Sequence, residues 1–157
     1  MRLAFRTWVP AVAWTVMTVV AAGELLSANH TSAWLRDAVY FLLRRVSSGE
    51  AIALTDAILR KSGHFLNYAI LSWLWFRAAR YWELRERSRE WALRWSRWGF
   101  LLAALTAVAD EWLQHFVASR TGNPADVALD CAGALFAQLL ILRVWLARRE
   151  RAAVRTV

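Results

Sequence analysis

The sequence predicts an all-α protein, an integral membrane four-helix bundle with short interfacial helices. Three observations carry this expectation. Apolar residues come in blocks of about 20, the length of a helical bilayer crossing, rather than at an amphipathic period. The mean hydropathy is +0.29 although 20% of the residues are charged. Arginines gather in alternate connections between the blocks. Only helices and closed barrels satisfy their backbone groups in lipid, and long blocks without alternation point to helices. No linker, internal repeat or low-complexity run divides the chain, so residues 1–157 read as one domain.

The first span is expected over about 8–26, after Arg2 and Arg6. A signal peptide is the alternative, because SANHTSA offers small residues for cleavage. Retention is favoured by the length of the apolar stretch, by Glu24 near its end, and by the odd number of spans that cleavage would leave. In the connection that follows, AWLRDAVYFLLRRV (33–46) places Ala38, Val39, Leu42 and Val46 on one stripe and reads as an amphipathic helix on the membrane or capping the bundle. The second span is expected over 64–82 and the third over 98–117. Trp91, Trp95 and Trp98 stand at i, i+4 and i+7 beside several arginines, the pattern of an interfacial helix with an aromatic belt leading into the third span. The fourth is expected over 126–146, with Asn123 as N-cap, Pro124 at the first helical position and Asp126 in the first turn.

Charge sets the orientation. The 77–97 loop carries seven arginines, the tail after Leu142 five and the N-terminus two, whereas 118–125 carries only Arg120. Basic residues concentrate on the cytoplasmic side. The expectation is therefore a multi-pass cell-membrane protein with both termini cytoplasmic. A basic face on anionic lipid accounts for the net charge of +8 without nucleic acid. Membrane lipids are the expected partners. The lone Cys131 has no internal partner for a disulfide and reads as packing.

Against this apolar background ADEWLQHFVASRTGNPADVALD (109–130) stands out. Asp110 and Glu111 end one span and Asp126 and Asp130 begin the next, all toward the outer side. A charge at the bilayer centre costs roughly 3 kcal/mol on insertion scales, so four carboxylates are expected to face inward, toward one another or toward cations. RKSGHFLNYAIL (60–71) supplies candidates: Lys61, His64 and Tyr68 share a helix face, with Asn67 flanking it. Glu111, Gln114 and His115 share another. Lys61 is the one lysine among twenty basic residues, and a compact ammonium is not interchangeable with a guanidinium.

These two stretches, K-x-x-H-F-x-x-Y-A-x-L and D-E-x-x-Q-x-F-x-x-x-R-x-G-x-x-x-D-x-x-x-D-x-x-G, resemble the VanZ-like membrane proteins over about 61–137. The family's polar positions fall on Lys61, His64, Phe65 and Tyr68, on Asp110, Glu111, Gln114, Phe116 and Arg120, and on Asp126 and Gly133. Asn67, Asp130 and Ala137 depart from the family's common Glu, Asn and Gly. The resemblance implies a four-span layout and a link to resistance against the glycopeptide teicoplanin.

The residues taken together point to an outward-facing polar site made of Lys61, His64, Tyr68, Asp110, Glu111, Gln114, Arg120, Asp126 and Asp130. The first reading is binding of an anionic envelope ligand, such as a lipid-linked precursor or a glycopeptide, with Lys61 and Arg120 on its phosphate or carboxylate. The second is a membrane enzyme acting on a lipid-linked or phosphate-bearing substrate, with His64 and Glu111 or Asp110 as acid and base. Proton or cation movement ranks third, because the inner halves of the spans offer only Gln138, Thr15, Thr18 and Thr106 as polar relays. No spacing calls for a metal. The structural alternative is a salt-bridge network that only locks the bundle. Gly133 and Ala137 form a small face for close helix packing.

Overall fold

The structure, a computed structural model, describes residues 2–22, 41, 49–83, 88–116 and 123–154. Its ordered elements are α1 (Arg2–Ala22), α2 (Gly49–Ala79), a 3₁₀ turn (Arg80–Glu83), α3 (Arg89–Gln114) and α4 (Pro124–Val154). Among the described residues the chain is all-α, with no strand. The expected helix at 33–46 lies outside them except for Phe41, which is helical and exposed.

Local chemistry sets the helix ends. Ser88 caps α3 with extended backbone angles, its hydroxyl accepting from the Trp91 N–H at 3.1 Å, and Glu90 sits in the positive first turn. At the far end the His115 and Phe116 N–H groups close back onto the carbonyls of Trp112 and Leu113, a tight final turn. Asn123 caps α4: its side-chain oxygen accepts from the Ala125 N–H at 3.0 Å, with Pro124 opening the helix as the sequence predicts.

The four helices run alternately up and down. Trp14 and Thr18 of α1 meet Asn67 of α2, Tyr68 of α2 meets Asp110 of α3, and Ser96 of α3 meets Gln138 of α4. Two glycines allow the close approach. A Cβ on Gly133 would collide with the Phe65 carbonyl of α2, so these two backbones are nearly in contact. A Cβ on Gly99 would stand 2.9 Å from Gln138 Nε2 and 3.0 Å from the Ser72 carbonyl.

Small and polar residues make up much of the interior, with a few large side chains among them. Ala103, Ala107 and Ala134 pack with Tyr68 and Leu71, while Ala11, Leu74 and Ala78 pack with Trp8, Trp14 and Trp75. Ser72, Ser96, Asp110, Glu111, Gln114, Asp130 and Gln138 are also buried. The large apolar side chains face outward: Val12 and Val16 on α1, Leu101 and Leu105 on α3, Leu135, Phe136, Leu139 and Leu140 on α4.

Several expectations change. One helix among the described residues, Pro124–Arg148, is long and apolar enough to cross a membrane, and Phe5–Ala21 is a shorter apolar helix. The segments expected as second and third spans lie in helices that also carry Arg60, Lys61, Arg94, Arg97, Asp110 and Glu111, and these charges dilute their apolar character. The helices run beyond the segments expected as spans: α2 starts at Gly49 and α4 continues to Val154. Trp91 is not part of an interfacial belt. It is buried and packs edge-on to Phe76 at 6.5 Å, whereas Trp98 faces outward.

Candidate functional site

The antiparallel arrangement gathers the polar residues of α2, α3 and α4 at one end of the bundle. On α2, His64 and Tyr68 are one turn apart on the inward face. His64 Nδ1 lies 3.5 Å from Asp130 Oδ1 of α4. Asp130 is 2% exposed and its Oδ1 has no shorter hydrogen-bond partner among the described residues, while the His64 side chain remains 35% exposed. At 3.5 Å the pair has room to tighten. With Nδ1 facing Asp130, Nε2 is the nitrogen left for another molecule.

One turn deeper, the Tyr68 hydroxyl donates to Asp110 Oδ2 of α3 at 3.2 Å, and Gln114 Nε2 donates to the same oxygen at 3.3 Å. Tyr68 is fully buried, so its ring is core and its hydroxyl serves the carboxylate. Glu111 is buried too, and its Oε1 accepts from the backbone N–H of Asn123 at the start of α4. That contact ties the end of α3 to the beginning of α4 and supplies a second acceptor for an N-terminal donor.

The sequence-predicted residues thus separate into groups. His64 pairs with Asp130, Tyr68 and Gln114 both bond Asp110, and Glu111 lies at the α3–α4 connection. Asp126 is half-buried in the first turn of α4, where its charge complements the helix N-terminus. Lys61 does not join the carboxylates: it is exposed one turn above His64 and makes no ion pair among the described residues. A flexible ammonium gains little by leaving water for a partly shielded pair. Arg120 lies outside the described residues. His115 and Phe116 are exposed, the latter packed edge-on to Trp112 at 6.0 Å. Phe65 packs on Phe136 at 5.6 Å beside the Gly133 crossing, so its role is helix packing. Among the described residues no cluster of His, Cys, Asp and Glu is arranged to hold a metal ion.

A second polar layer escaped the sequence reading. Gln138 Nε2 donates to the Ser72 carbonyl at 2.9 Å and to Ser72 Oγ at 2.7 Å, while Ser96 Oγ donates to Gln138 Oε1 at 3.0 Å. The 64-68-72 spacing of His, Tyr and Ser along α2 was the available signal, since residues four apart share a helix face. Asn67 also serves differently from its neighbours: it accepts from the Trp14 indole at 2.9 Å and so anchors α1.

The charged cluster is chemically capable of two things. Its buried carboxylates can accept donors, and its imidazole can either donate a hydrogen bond or exchange a proton. No curated protein and no solved structure matches the chain. A family model does: VanZ/LLP1 aligns with residues 7–146, which covers most of each of the four helices and every site residue discussed above. Because the match runs over nearly the whole chain, the protein belongs to the VanZ/LLP1 family.

Proposed function

We propose that the chain is a multi-pass membrane protein whose polar end, open to the outer side, binds the head group of an anionic envelope ligand. The membrane placement is supported by the inverted distribution of side chains. A soluble domain buries most of its large apolar residues, whereas here Ala, Ser, Gln and carboxylates share the centre with a few large residues and many Leu, Val and Phe side chains face outward. The direction of insertion follows the arginine-rich ends, with both termini cytoplasmic. A cysteine at Gly122 should therefore label from outside intact cells and one at Ser88 should not; labelling at Ser88 would invert the site.

The single observation that carries the binding reading is the His64–Asp130 contact. It holds an imidazole at the mouth of the polar end, with Lys61 exposed one turn away on the same helix. These two groups, and Arg120 from the adjoining connection, would meet a phosphate or carboxylate. Asp110, Glu111 and Asp130 would accept donors from the rest of the head group. A lipid-linked wall precursor or a glycopeptide has both kinds of group, which is how the site would connect to teicoplanin resistance. The test is native mass spectrometry of the protein extracted with its lipids. A retained phosphate-bearing envelope lipid that is lost in His64→Gln supports the reading, and a wild-type protein that retains none when offered purified precursor removes it.

The same contact favours one alternative. A buried carboxylate that orients a histidine through Nδ1, leaving Nε2 toward a substrate, is the arrangement of a general base. In this enzyme reading Asp130, rather than Glu111 or Asp110, is the partner of His64. Single-turnover incubation with radiolabelled undecaprenyl phosphate, phosphatidic acid and lipid-linked precursor separates the two. A protein-dependent product that disappears in His64→Gln while substrate still co-purifies establishes catalysis. Passage of protons or cations has less support, because the tightly packed Ala103, Ala107 and Ala134 layer stands between the two polar layers.

A further inference from the structure

On the other flank of α2 from the His64 site, a groove of about 400 Å³ runs between α1 and α2. Pro10, Ala13 and Met17 form one wall and Ile70, Trp73 and Leu74 the other. Met17, Ile70 and Trp73 are each at least 40% exposed. Trp14 closes the groove toward the bundle, fixed there by its hydrogen bond to Asn67. By itself this is an apolar crevice. What distinguishes it is its end.

Each wall is a helical stripe that terminates in an arginine. On α2, Ile70, Trp73, Leu74 and Arg77 stand at i, i+3, i+4 and i+7; on α1, Met17, Ala13, Pro10 and Arg6 step by four, three and four. Because α1 and α2 are antiparallel, Arg6 and Arg77 meet at the same end, and the structure joins them. Pro10 has no N–H to offer the Arg6 carbonyl, its partner one turn earlier. Arg77 Nη2 donates to that carbonyl at 3.2 Å. The same guanidinium lies over the Trp73 ring, 5.9 Å from its centroid, which fixes its plane beside the groove wall. One donor is spent on Arg6, and a guanidinium carries five.

We propose that the α1–α2 groove binds an anionic phospholipid, with an acyl chain along the Pro10–Met17 and Ile70–Leu74 walls and its phosphate at Arg77 and Arg6. The apolar walls match the tail, and the Arg77 guanidinium, beside the exposed Arg6 at the same end, matches a phosphate, which arginine receives through paired N–H donors. The seven steps from Ile70 to Arg77 rise about 10 Å and the eleven from Met17 to Arg6 about 16 Å, a length suited to part of one acyl chain. This site is separate from the polar end, since Tyr68 and Ser72 turn toward α3 and α4 while the groove residues of α2 turn toward α1.

The test uses the full chain, delipidated in neutral detergent and examined by native mass spectrometry with added phosphatidylglycerol, phosphatidylcholine, diacylglycerol or inorganic phosphate. Phosphatidylglycerol should be retained roughly tenfold better than the two uncharged-overall lipids, the scale of one charge-assisted contact. Arg77→Gln and Arg6→Gln should each reduce that preference, and Ala13→Phe, which fills the groove, should lower retention of all three lipids. Arg6→Gln matters most, because it keeps the backbone carbonyl that Arg77 uses and so leaves α1 seated; an unchanged thermal unfolding midpoint reports that seating. Equal retention of charged and uncharged lipids, a preference that survives both arginine changes, or undiminished binding in Ala13→Phe would overturn the proposal. Full competition by inorganic phosphate would replace it with a simple anion site.

Discussion

At the His64 end of the bundle, three buried carboxylates are served by an imidazole, a phenol, an amide and a backbone N–H. About 12 Å further along α4, by helical rise from Asp130 to Gln138, one neutral amide joins two serines. Both layers cross the same three helices, and both bury polar groups in a packed interior. They differ in what remains after internal pairing. Around Gln138, the amide N–H groups meet two Ser72 oxygens and its carbonyl meets the Ser96 hydroxyl, so the layer closes on itself. Around His64, carboxylates outnumber the cationic groups among the described residues that touch them, and the imidazole is only partly covered. A closed neutral network fixes helix register, whereas the proposed binding role requires the charged layer to keep hydrogen-bonding capacity for a ligand.

The most severe way to break this comparison strikes the scaffold that both layers share. Gly133→Leu should destabilise the protein by more than about 3 kcal/mol or prevent its recovery as folded material, because the new side chain must displace the Phe65 backbone of α2. Thermal unfolding in detergent measures this, and a variant as stable as the parent would mean that α2 and α4 are not in contact there.

Opening the neutral layer should cost less and leave binding intact. Gln138→Leu removes the partner of Ser72 and Ser96, and stranding buried hydroxyls costs about 1–3 kcal/mol. Retention of an envelope ligand at the polar end, normalised to folded protein, should not change. Loss of ligand from well-folded Gln138→Leu would merge the two layers into one site.

The charged layer should show the opposite pattern, with the smallest effect on stability. In Glu111→Gln the new side chain can still accept from Asn123 N–H, and in His64→Gln it can still donate toward Asp130. Melting should therefore move by the equivalent of under about 1 kcal/mol, while ligand retention or the resistance phenotype falls roughly tenfold or more. If phenotype declines only in step with folded protein, the charged layer is a lock like the neutral one.

Much of this organisation was legible in the order of residues. The helical blocks, the Asn123-Pro124 start of α4 and the spacing of polar residues along one helix face all follow from local rules, because hydrogen bonding and capping act over four residues. Helix lengths were harder. Arg60 and Lys61 interrupt the apolar run, yet exposed charges do not end a helix, so α2 continues through them. Trp91 likewise fitted a surface pattern, and its burial against Phe76 depends on where α2 ends beside the start of α3.

Composition and spacing by themselves determined an all-helical chain, its polar and arginine-rich ends, and the candidates His64, Tyr68, Asp110, Glu111, Gln114 and Asp130. Only the tertiary structure decided the pairings. Which carboxylate faces His64 depends on the rotation of α4 against α2, and that rotation is set by the collision any side chain at Gly133 would have with Phe65. Whether Lys61 joins the cluster depends on its height above it, one turn beyond His64, where water competes for the ammonium. The seating of Arg77 on the carbonyl that Pro10 leaves open joins residues 71 positions apart. Periodicity states which residues share a face of one helix; it carries no information about which faces meet, because that is settled by packing between segments distant in the chain.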